Sequence, residues 1–457
     1  METILIRNGR VVRRGGIELA DIRIVDGRID SVGRKIKEGA DRAIDATDLF
    51  VLPGLIDPHT HPVYLDDLRS LPVSAASGGV TTLIHYAYAK PGDGLIETID
   101  RFREEGLAGS ILDFALHGGL FDPANQAEEI PKAYEAGVTS YKMFMTYAKL
   151  GWMTDDYQLM RTFDIIGQVG GMGMVHAENG LATDYLEDRM LEQGEDPREN
   201  FVATRPAILE AEAIHRAIAM AQVAGCPIYI PHMTARLGIE EVARARKSGF
   251  RVYAETCPQY LTLTEEELRR QGPLVKIGPP LRSEDDRRSL WTGIAYGTID
   301  TVASDHAAKE KKIDDAFFDA PYGSPQVETM LPLVYDGGVN SGWITISRLV
   351  EVMCENPARI FGLYPKKGAL LPGSDGDVVL FDPNAEWTIE RSNQHSNAPY
   401  TAYEGRRVLG RVVMTIGRGE VLVEEGELKG EPGRAEFLKT ESGRVAPESL
   451  FSHRIGR

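Results

Sequence analysis

The sequence predicts an α/β fold, a (β/α)8 TIM-like barrel with a small β-sandwich domain built from both termini. Eight short β-like runs in the middle of the chain alternate with helix-like stretches, which is typical of a barrel. Both ends of the chain are rich in β-like runs separated by turn residues. We therefore expect a β domain of residues 1–50 and 366–430, a barrel of residues 51–365 and a tail of residues 431–457.

The terminal β domain is predicted from two separate regions. Residues 3–12 form a β-like run, and residues 21–25 and 28–32 flank Asp26-Gly27, a hairpin signal. The second region contains three further runs, at residues 376–381, 410–416 and 420–423. Because the two regions enclose a different middle, we expect them to meet in one domain.

The barrel is predicted from eight β-like runs, at residues 55–59, 82–85, 111–117, 139–143, 172–176, 227–232, 251–254 and 298–303. Helix-like stretches lie between most of them, for example at residues 155–169, 207–224, 239–247 and 284–296. Two more are expected to lead out of the barrel, at residues 325–336 and 344–361. The tail after residue 430 has little periodicity, and we expect an irregular arm on this barrel or on a neighbouring chain.

Composition limits the classes of function. The chain of 457 residues is 42% hydrophobic and 26% charged, as is usual for a globular enzyme. Its net charge of −17 disfavours nucleic acid and anionic membranes as partners. No transmembrane run or signal peptide is recognisable, and the three cysteines show no disulfide or CxxC pattern. We expect a cytoplasmic protein.

The stretch Asp57-Pro58-His59-Thr60-His61 follows an apolar run at the end of the first barrel strand. Residues two apart on a strand point to the same side, so both imidazoles can face one point in space. Neutral imidazole is a suitable ligand for zinc. The alternative is a pair of surface histidines near a turn.

Other polar side chains fall at the ends of further strands, where barrel enzymes place their sites. Strand five ends in His176, strand six in His232, and strand eight in Ser304-Asp305-His306, while strand four carries Lys142. A single strand-end histidine is more often a packed core or loop residue. Agreement among five strands favours one site on this rim.

Lys142 lies inside an apolar strand, where an ammonium is costly and loses its proton readily. It is either paired with an acid in the rim or, as a neutral amine, captures carbon dioxide to become a carbamate. A carbamate is an anionic oxygen donor long enough to bridge two cations. Spacing alone does not decide between the two interpretations.

The sequence resembles the cyclic amidohydrolases, and most closely their hydantoinase/dihydropyrimidinase branch. The resemblance covers nearly the whole chain in order. It is carried by motifs at residues 53–61, 141–147, 175–179, 279–282, 304–306, 367–377, 395–397 and 403–405.

The resemblance implies two divalent metal ions held by six side chains: His59, His61, Lys142, His176, His232 and Asp305. N6-carboxylated Lys142 would bridge the ions, which would activate a shared hydroxide for attack on a ring carbonyl. Asp305 would move the proton to the leaving nitrogen, and the Tyr147 hydroxyl would steady the oxyanion. Zinc is the expected metal, with manganese and cobalt as alternatives.

Substrate contacts are predicted at positions where this chain departs from its relatives. Dihydroorotase-like members carry an arginine, and the hydantoinase branch often an aspartate, where this chain has Val63. Gly278 replaces the usual serine and Tyr322 the usual asparagine at two places that hold the ring amide mainly through backbone groups. Candidate walls for the substituent outside the ring are Tyr64, Leu65, Leu150 and Trp152, each of which could instead pack within its loop.

The expected function is metal-dependent hydrolysis of a small cyclic amide, ureide or imide of the hydantoin or dihydropyrimidine type. One alternative is an allantoinase- or imidase-like enzyme with the same mechanism. Another, from a different class, is a non-catalytic dihydropyrimidinase-like scaffold, although all six ligand positions are filled. The resemblance also implies a homo-oligomer, either a tetramer or a dimer.

Overall fold

The computed structural model describes residues 2–450, and the end of the predicted tail, residues 451–457, lies outside the described residues. The first strands are β1 (Ile4–Arg13), β2 (Gly16–Val25), β3 (Arg28–Gly33), β4 (Arg42–Asp45) and β5 (Phe50–Pro53). The barrel strands follow as β6 (Leu55–Thr60), β7 (Val80–Ala89), β8 (Asp113–Leu120), β9 (Ser140–Phe144), β10 (Met172–His176), β11 (Ile228–Ile230), β12 (Val252–Thr256) and β13 (Thr301–Val302). The last strands are β14 (Val378–Ile389), β15 (Arg406–Gly417), β16 (Glu420–Glu424) and β17 (Glu427–Leu428).

The barrel sheet has eight parallel strands in sequence order from β6 to β13. Closure is made just beyond the strand ends, where the backbone N–H of His61 donates to the carbonyl of His306 at 2.9 Å. Because all strands run parallel, their carboxyl ends meet on one rim. The predicted barrel is confirmed.

Helices cover the outside of the barrel: α1 (Ser70–Ser77), α2 (Leu95–Gly109), α3 (Pro123–Gln126), α4 (Ile130–Glu135), α5 (Asp156–Val169), α6 (Gly180–Glu192), α7 (Pro197–Thr204), α8 (Ala207–Val223), α9 (Arg236–Lys247), α10 (Pro258–Thr262), α11 (Glu266–Gln271), α12 (Glu284–Tyr296), α13 (Met330–Val334), α14 (Ile346–Val350) and α15 (Asn356–Ile360). Side-chain caps set several starts, for example Asp155 accepting from Gln158 N–H. The helix predicted at 325–336 begins at Val327 and continues past its predicted end in a π-helical turn, Tyr335–Asn340. The helix predicted at 344–361 contains a π-helical turn at Glu351–Glu355. None of the helices in residues 2–450 is long and apolar enough to span a bilayer.

Both termini contribute to one nine-stranded sheet, in the order β17-β16-β15-β14-β5-β1-β2-β3 with β4 also paired to β1. The join between the two halves is the antiparallel pairing of β14 with β5. Buried apolar residues from both halves, such as Ile22, Val51, Leu380 and Ile416, form its core. This confirms the prediction that one β domain is built from both termini.

The chain passes from the β domain into the barrel at Gly54, because Phe50–Pro53 still pairs within the terminal sheet. A Cβ atom at Gly54 would lie 2.1 Å from Thr81 Oγ1, so only glycine fits there. Buried Lys367 ties the two parts together through three carboxylates at 2.6–3.0 Å: Asp113, Asp375 and Asp377. As expected for one of the two alternatives, the tail packs on its own barrel, where Leu438 N–H donates to Phe114 at 2.7 Å.

Candidate active site

The carboxyl ends of the barrel strands surround a cavity of about 350 Å³. It is lined by most of the site residues predicted from the sequence: His59, His61, Tyr64, Lys142, Tyr147, Leu150, Trp152, His176, His232, Gly278, Asp305 and Tyr322. Val63 and Leu65 do not line it, and their side chains are 42% and 38% exposed. Of the consecutive loop residues Val63, Tyr64 and Leu65, only Tyr64 therefore lines the cavity.

One cluster in the cavity consists of His59, His61 and Asp305. Nε2 of His59 and Nε2 of His61 lie 3.1 Å and 2.9 Å from the same Asp305 oxygen. Ligand atoms of the three residues lie within 4.8 Å of one another, and His59 Nε2 is buried without a hydrogen bond. Two imidazole nitrogens and a carboxylate oxygen around one point are a donor set that suits a divalent transition metal.

Charges around this cluster favour a cation. Burial opposes protonation of His59, but the carboxylates of Glu255 and Asp305 outweigh it and raise the pKa of His59 to about 9. Burial likewise opposes ionisation of Asp305, yet the two histidines hold the pKa of that carboxyl well below its usual range. The negative potential that stabilises a proton on His59 would equally stabilise a metal ion.

A second cluster lies beside the first and contains His176, His232 and Lys142. The rings of His176 and His232 are 4.5 Å apart, and Lys142 Nζ lies 3.5 Å from His232 Nε2. Lys142 forms no ion pair within 4.0 Å among the described residues, so the acid partner that one interpretation required is not seen. Burial lowers the pKa of Lys142 to about 8, which increases its neutral, carbon dioxide-reactive fraction.

Three residues in this cavity have strained backbones. Among residues 54–365, which the structure describes in full, the non-glycine residues with positive φ are Tyr147 (65°), His232 (39°) and Asp305 (53°). Left-handed backbone costs a non-glycine residue free energy and persists where the surrounding structure holds it. Their coincidence in one cavity points to side chains placed for function.

Glu255, at the end of β12, was missed by the sequence analysis. Its Oε1 accepts from His59 Nδ1 at 2.6 Å and from the His232 backbone N–H at 3.0 Å. Its Oε2 accepts from the Tyr229 hydroxyl at 2.6 Å. Glu255 thereby keeps a proton on Nδ1 of His59, so that a metal ion would take the place of the proton on Nε2, the nitrogen that faces Asp305. The sequence offered one signal for Glu255 as a site residue, because it lies one residue beyond the end of the predicted seventh strand.

Glu178 was also missed, although it lies in the His176-Ala177-Glu178 motif. Its Oε2 accepts a hydrogen bond from His176 Nε2 at 2.7 Å. The ring proton of neutral His176 therefore lies on Nε2 and not on Nδ1. Although burial opposes it, Arg205 and His176 lower the pKa of Glu178 to about 2. The carboxylate is therefore ionised at neutral pH and orients His176.

Tyr147, Tyr322 and Gly278 meet on the wall facing these clusters. A Cβ atom at Gly278 would already lie 2.8 Å from the Tyr147 hydroxyl, so the missing side chain gives that hydroxyl its space. The rings of Tyr147 and Tyr322 are 5.7 Å apart, and Arg205 donates to the Tyr322 hydroxyl at 3.1 Å. Burial raises the pKa of Tyr147 well above its usual range, so its hydroxyl keeps the proton it would donate.

The remainder of the cavity is mostly aromatic. Trp152 stacks on Phe121 with ring centroids 4.5 Å apart, and Phe121 stacks on Phe144 at 5.2 Å. Phe121, Phe144 and Tyr88 line the cavity but were not nominated from the sequence. Apolar walls beside a polar end suit a small ring with its reacting bond at the clusters.

Known proteins resemble this chain over nearly its whole length. A D-hydantoinase of Ralstonia pickettii is 39% identical over 455 residues, covering 95% of this chain and 98% of the relative. A D-phenylhydantoinase of Escherichia coli is 36% identical over 454 residues, covering 95% and 98%.

Solved structures of a hydantoinase and a dihydropyrimidinase share the fold of this chain. A D-hydantoinase structure superimposes with a TM-score of 0.92 at 38% identity, covering 97% of this chain and 100% of the other. The dihydropyrimidinase of Brevibacillus agri NCHU1002 superimposes with a TM-score of 0.93 at 32% identity and the same coverage. A model described as the amidohydrolase family matches residues 174–422. The chain therefore belongs to the amidohydrolase family, in its hydantoinase/dihydropyrimidinase branch, whose enzymes hydrolyse carbon–nitrogen bonds in cyclic amides.

Proposed function

We propose that this protein opens a cyclic amide, ureide or imide ring of the hydantoin or dihydropyrimidine type at a site of two divalent metal ions. The observation that carries the proposal is the convergence of the two polar clusters at one end of an otherwise aromatic cavity. Relatives of the chain are named for hydantoin and dihydropyrimidine hydrolysis, which supports the same ring class here.

The residues fit two ions. His59, His61 and Asp305 would hold one ion, and the convergence of both histidine Nε2 atoms on one Asp305 oxygen supports this assignment. His176 and His232 would hold the other, and N6-carboxylated Lys142 would link both. The hydrogen-bonding partner of the buried Lys142 Nζ is the His232 imidazole at 3.5 Å. A buried ammonium with so weak a partner is costly, which supports its conversion to an anionic carbamate.

Bound divalent ions lower the pKa of water and polarise a carbonyl, which supplies a nucleophile and an electrophile at neutral pH. Asp305 would accept a proton from the attacking water and return it to the ring nitrogen as the carbon–nitrogen bond breaks. The Tyr147 hydroxyl would donate to the oxygen that develops negative charge. Gly278 and Tyr322 would hold the ring amide, while Tyr64, Leu150 and Trp152 would enclose the substituent.

The nitrogen-rich donor set supports zinc as the metal, with manganese or cobalt as alternatives for a site of mixed nitrogen and oxygen ligands. The three cysteines are buried and free, which supports a reducing cytoplasm. We also propose a homo-oligomer, tetramer or dimer. Three large apolar side chains of α6, Leu181, Tyr185 and Leu191, are exposed, as a subunit interface would require.

A substrate panel on metal-loaded enzyme tests the function. The panel should compare hydantoin, dihydrouracil, allantoin and a cyclic imide, with metal content measured on the same sample. Ring opening of hydantoin or dihydrouracil at the highest kcat/KM is the expected result. Preferential opening of allantoin or the imide would favour the alternative enzymes. A protein that purifies without metal and opens none of the rings would be the non-catalytic scaffold.

A further inference from the structure

Lys309 is a cavity-lining cation for which the reaction has no use. It lies in the loop after β13, beyond Asp305, and is half-buried. Its Nζ sits 2.9 Å from the centre of the Tyr64 ring. Among residues 2–450 it forms no ion pair or hydrogen bond, so the aromatic face of Tyr64 is the protein group that stabilises this ammonium.

The other cations near this wall are already engaged. Lys276 Nζ donates to three carbonyls at 2.7–3.2 Å, those of Phe317, Phe318 and Ala320. Lys311 Nζ donates to the Lys276 carbonyl at 2.8 Å. These two lysines therefore support the loop that forms one side of the cavity. The lining carboxylate of Asp319 is solvent-exposed and forms no ion pair with Lys309 in the described chain.

An uncompensated ammonium in a largely aromatic wall is unfavourable until an anion neutralises it. Burial lowers the pKa of Lys309 to about 8, and no carboxylate counteracts the effect. Lys367, a fully buried lysine elsewhere in the chain, has such partners in three aspartates. The wall at Lys309 thus lacks a negative group that a ligand could supply.

The position of Lys309 indicates which part of a ligand it would meet. Lys309 follows Asp305 by four residues in the loop after β13, and both side chains line the cavity. Its Nζ lies over the ring of Tyr64, which is the proposed wall for the substituent outside the ring. A group carried by that substituent would therefore reach the ammonium.

We propose that Lys309, supported by the ring of Tyr64, is a specificity-determining residue that binds a carboxylate on the substituent outside the substrate ring. The inference rests on the proposed ring-opening function. It assigns the substrate class to cyclic amides with an acidic side chain, such as a hydantoin with a carboxyethyl group at C5. The cation comes from the β13 loop, not from the position of Val63.

The test compares C5-carboxyethyl hydantoin with its neutral carboxamide analogue on metal-loaded enzyme. The wild type should open the acid with the higher kcat/KM. Lys309→Gln should lower the acid-to-amide ratio about tenfold or more, since a hydrogen bond to a charged group is lost. The loss should appear in KM, because Lys309 contacts a group remote from the reacting bond. Lys309→Arg should retain much of the preference.

Lys312→Gln is the matched control, because Lys312 is exposed and does not line the cavity. Its ratio and the metal content of all variants should equal those of wild type. Equal activity on acid and amide in the wild type, or an unchanged ratio in Lys309→Gln, would overturn the inference while leaving ring opening intact. Failure of the metal-loaded wild type to open the carboxamide and hydantoin itself would overturn the proposed function, and the inference with it.

Discussion

Replacing Glu255 by glutamine tests whether this buried carboxylate supports metal binding through His59. Glutamine can keep its oxygen where Glu255 Oε1 accepts from His59 and from the His232 backbone. Its amide nitrogen would then face the Tyr229 hydroxyl. That hydroxyl can accept a hydrogen bond from the amide, because it can donate its own proton to Thr301 Oγ1 at 2.7 Å. The substitution therefore removes the charge and preserves the hydrogen-bond geometry.

The expected cost follows from the short contact between Glu255 and His59. Carboxylates that orient a metal-bound histidine are worth about 10- to 100-fold in metal affinity when they are removed. This range corresponds to about 1.4–2.7 kcal/mol of binding free energy. Because the contact is 2.6 Å and fully buried, we expect the upper part of the range. The ion held by His59, His61 and Asp305 should be affected more than its neighbour.

The assay is titration of metal-depleted protein with zinc against a competing chelator, followed by kcat/KM of the reloaded enzyme. Glu328→Gln is the matched control, since Glu328 accepts from His395 Nδ1 at 2.8 Å outside the cavity. The control should bind zinc as the wild type does. Unchanged zinc affinity in Glu255→Gln would refute the reasoning. So would an equal loss in the control, because it would reflect general destabilisation.

Four further outcomes are expected. Lys142→Ala should lose both ions by elemental analysis and recover activity with short-chain carboxylic acids; full metal occupancy would contradict a bridging carbamate. Tyr147→Phe should lower kcat roughly 100-fold at unchanged metal content; normal turnover would reduce Tyr147 to a wall residue. Dihydroorotate should be opened less efficiently than dihydrouracil, because Val63 supplies no cation near the ring; the reverse order in kcat/KM would contradict this. Lys367→Met should lower the free energy of unfolding in urea by about 3 kcal/mol, because three buried carboxylates lose a shared cation and only Asp113 keeps a close one, Arg418 at 3.0 Å; a change under 1 kcal/mol would argue against that ion cluster.

The barrel and its strand-end polar residues were accessible from sequence because they depend on local patterns. Apolar runs of strand length end in His59, His176 and His232, and parallel strands bring their ends to one rim whatever the details of packing. The single terminal domain was less directly accessible, since it was predicted only from two β-rich regions that enclose a different middle. The pairing of β5 with β14, which joins the two regions, is known only from the structure.

Loop directions were not accessible in the same way. Three consecutive loop residues after β6 were nominated as substrate contacts, but Tyr64 alone of them lines the cavity. The backbone of this loop is held by two hydrogen bonds, from Val63 N–H to the His61 carbonyl at 2.9 Å and from Leu65 N–H to the Ala308 carbonyl at 3.0 Å. No periodicity in the sequence reports such a turn.

The sequence by itself determined which chemical groups stand at the ends of the strands and hence the class of chemistry. Only the tertiary structure decided which groups support them. Glu255 lies 196 positions from His59, yet contacts it at 2.6 Å. Lys309 and Tyr64 meet from opposite sides of the barrel closure. Such partners are selected by the register and closure of the sheet, because a side chain one strand position away would point to the other face.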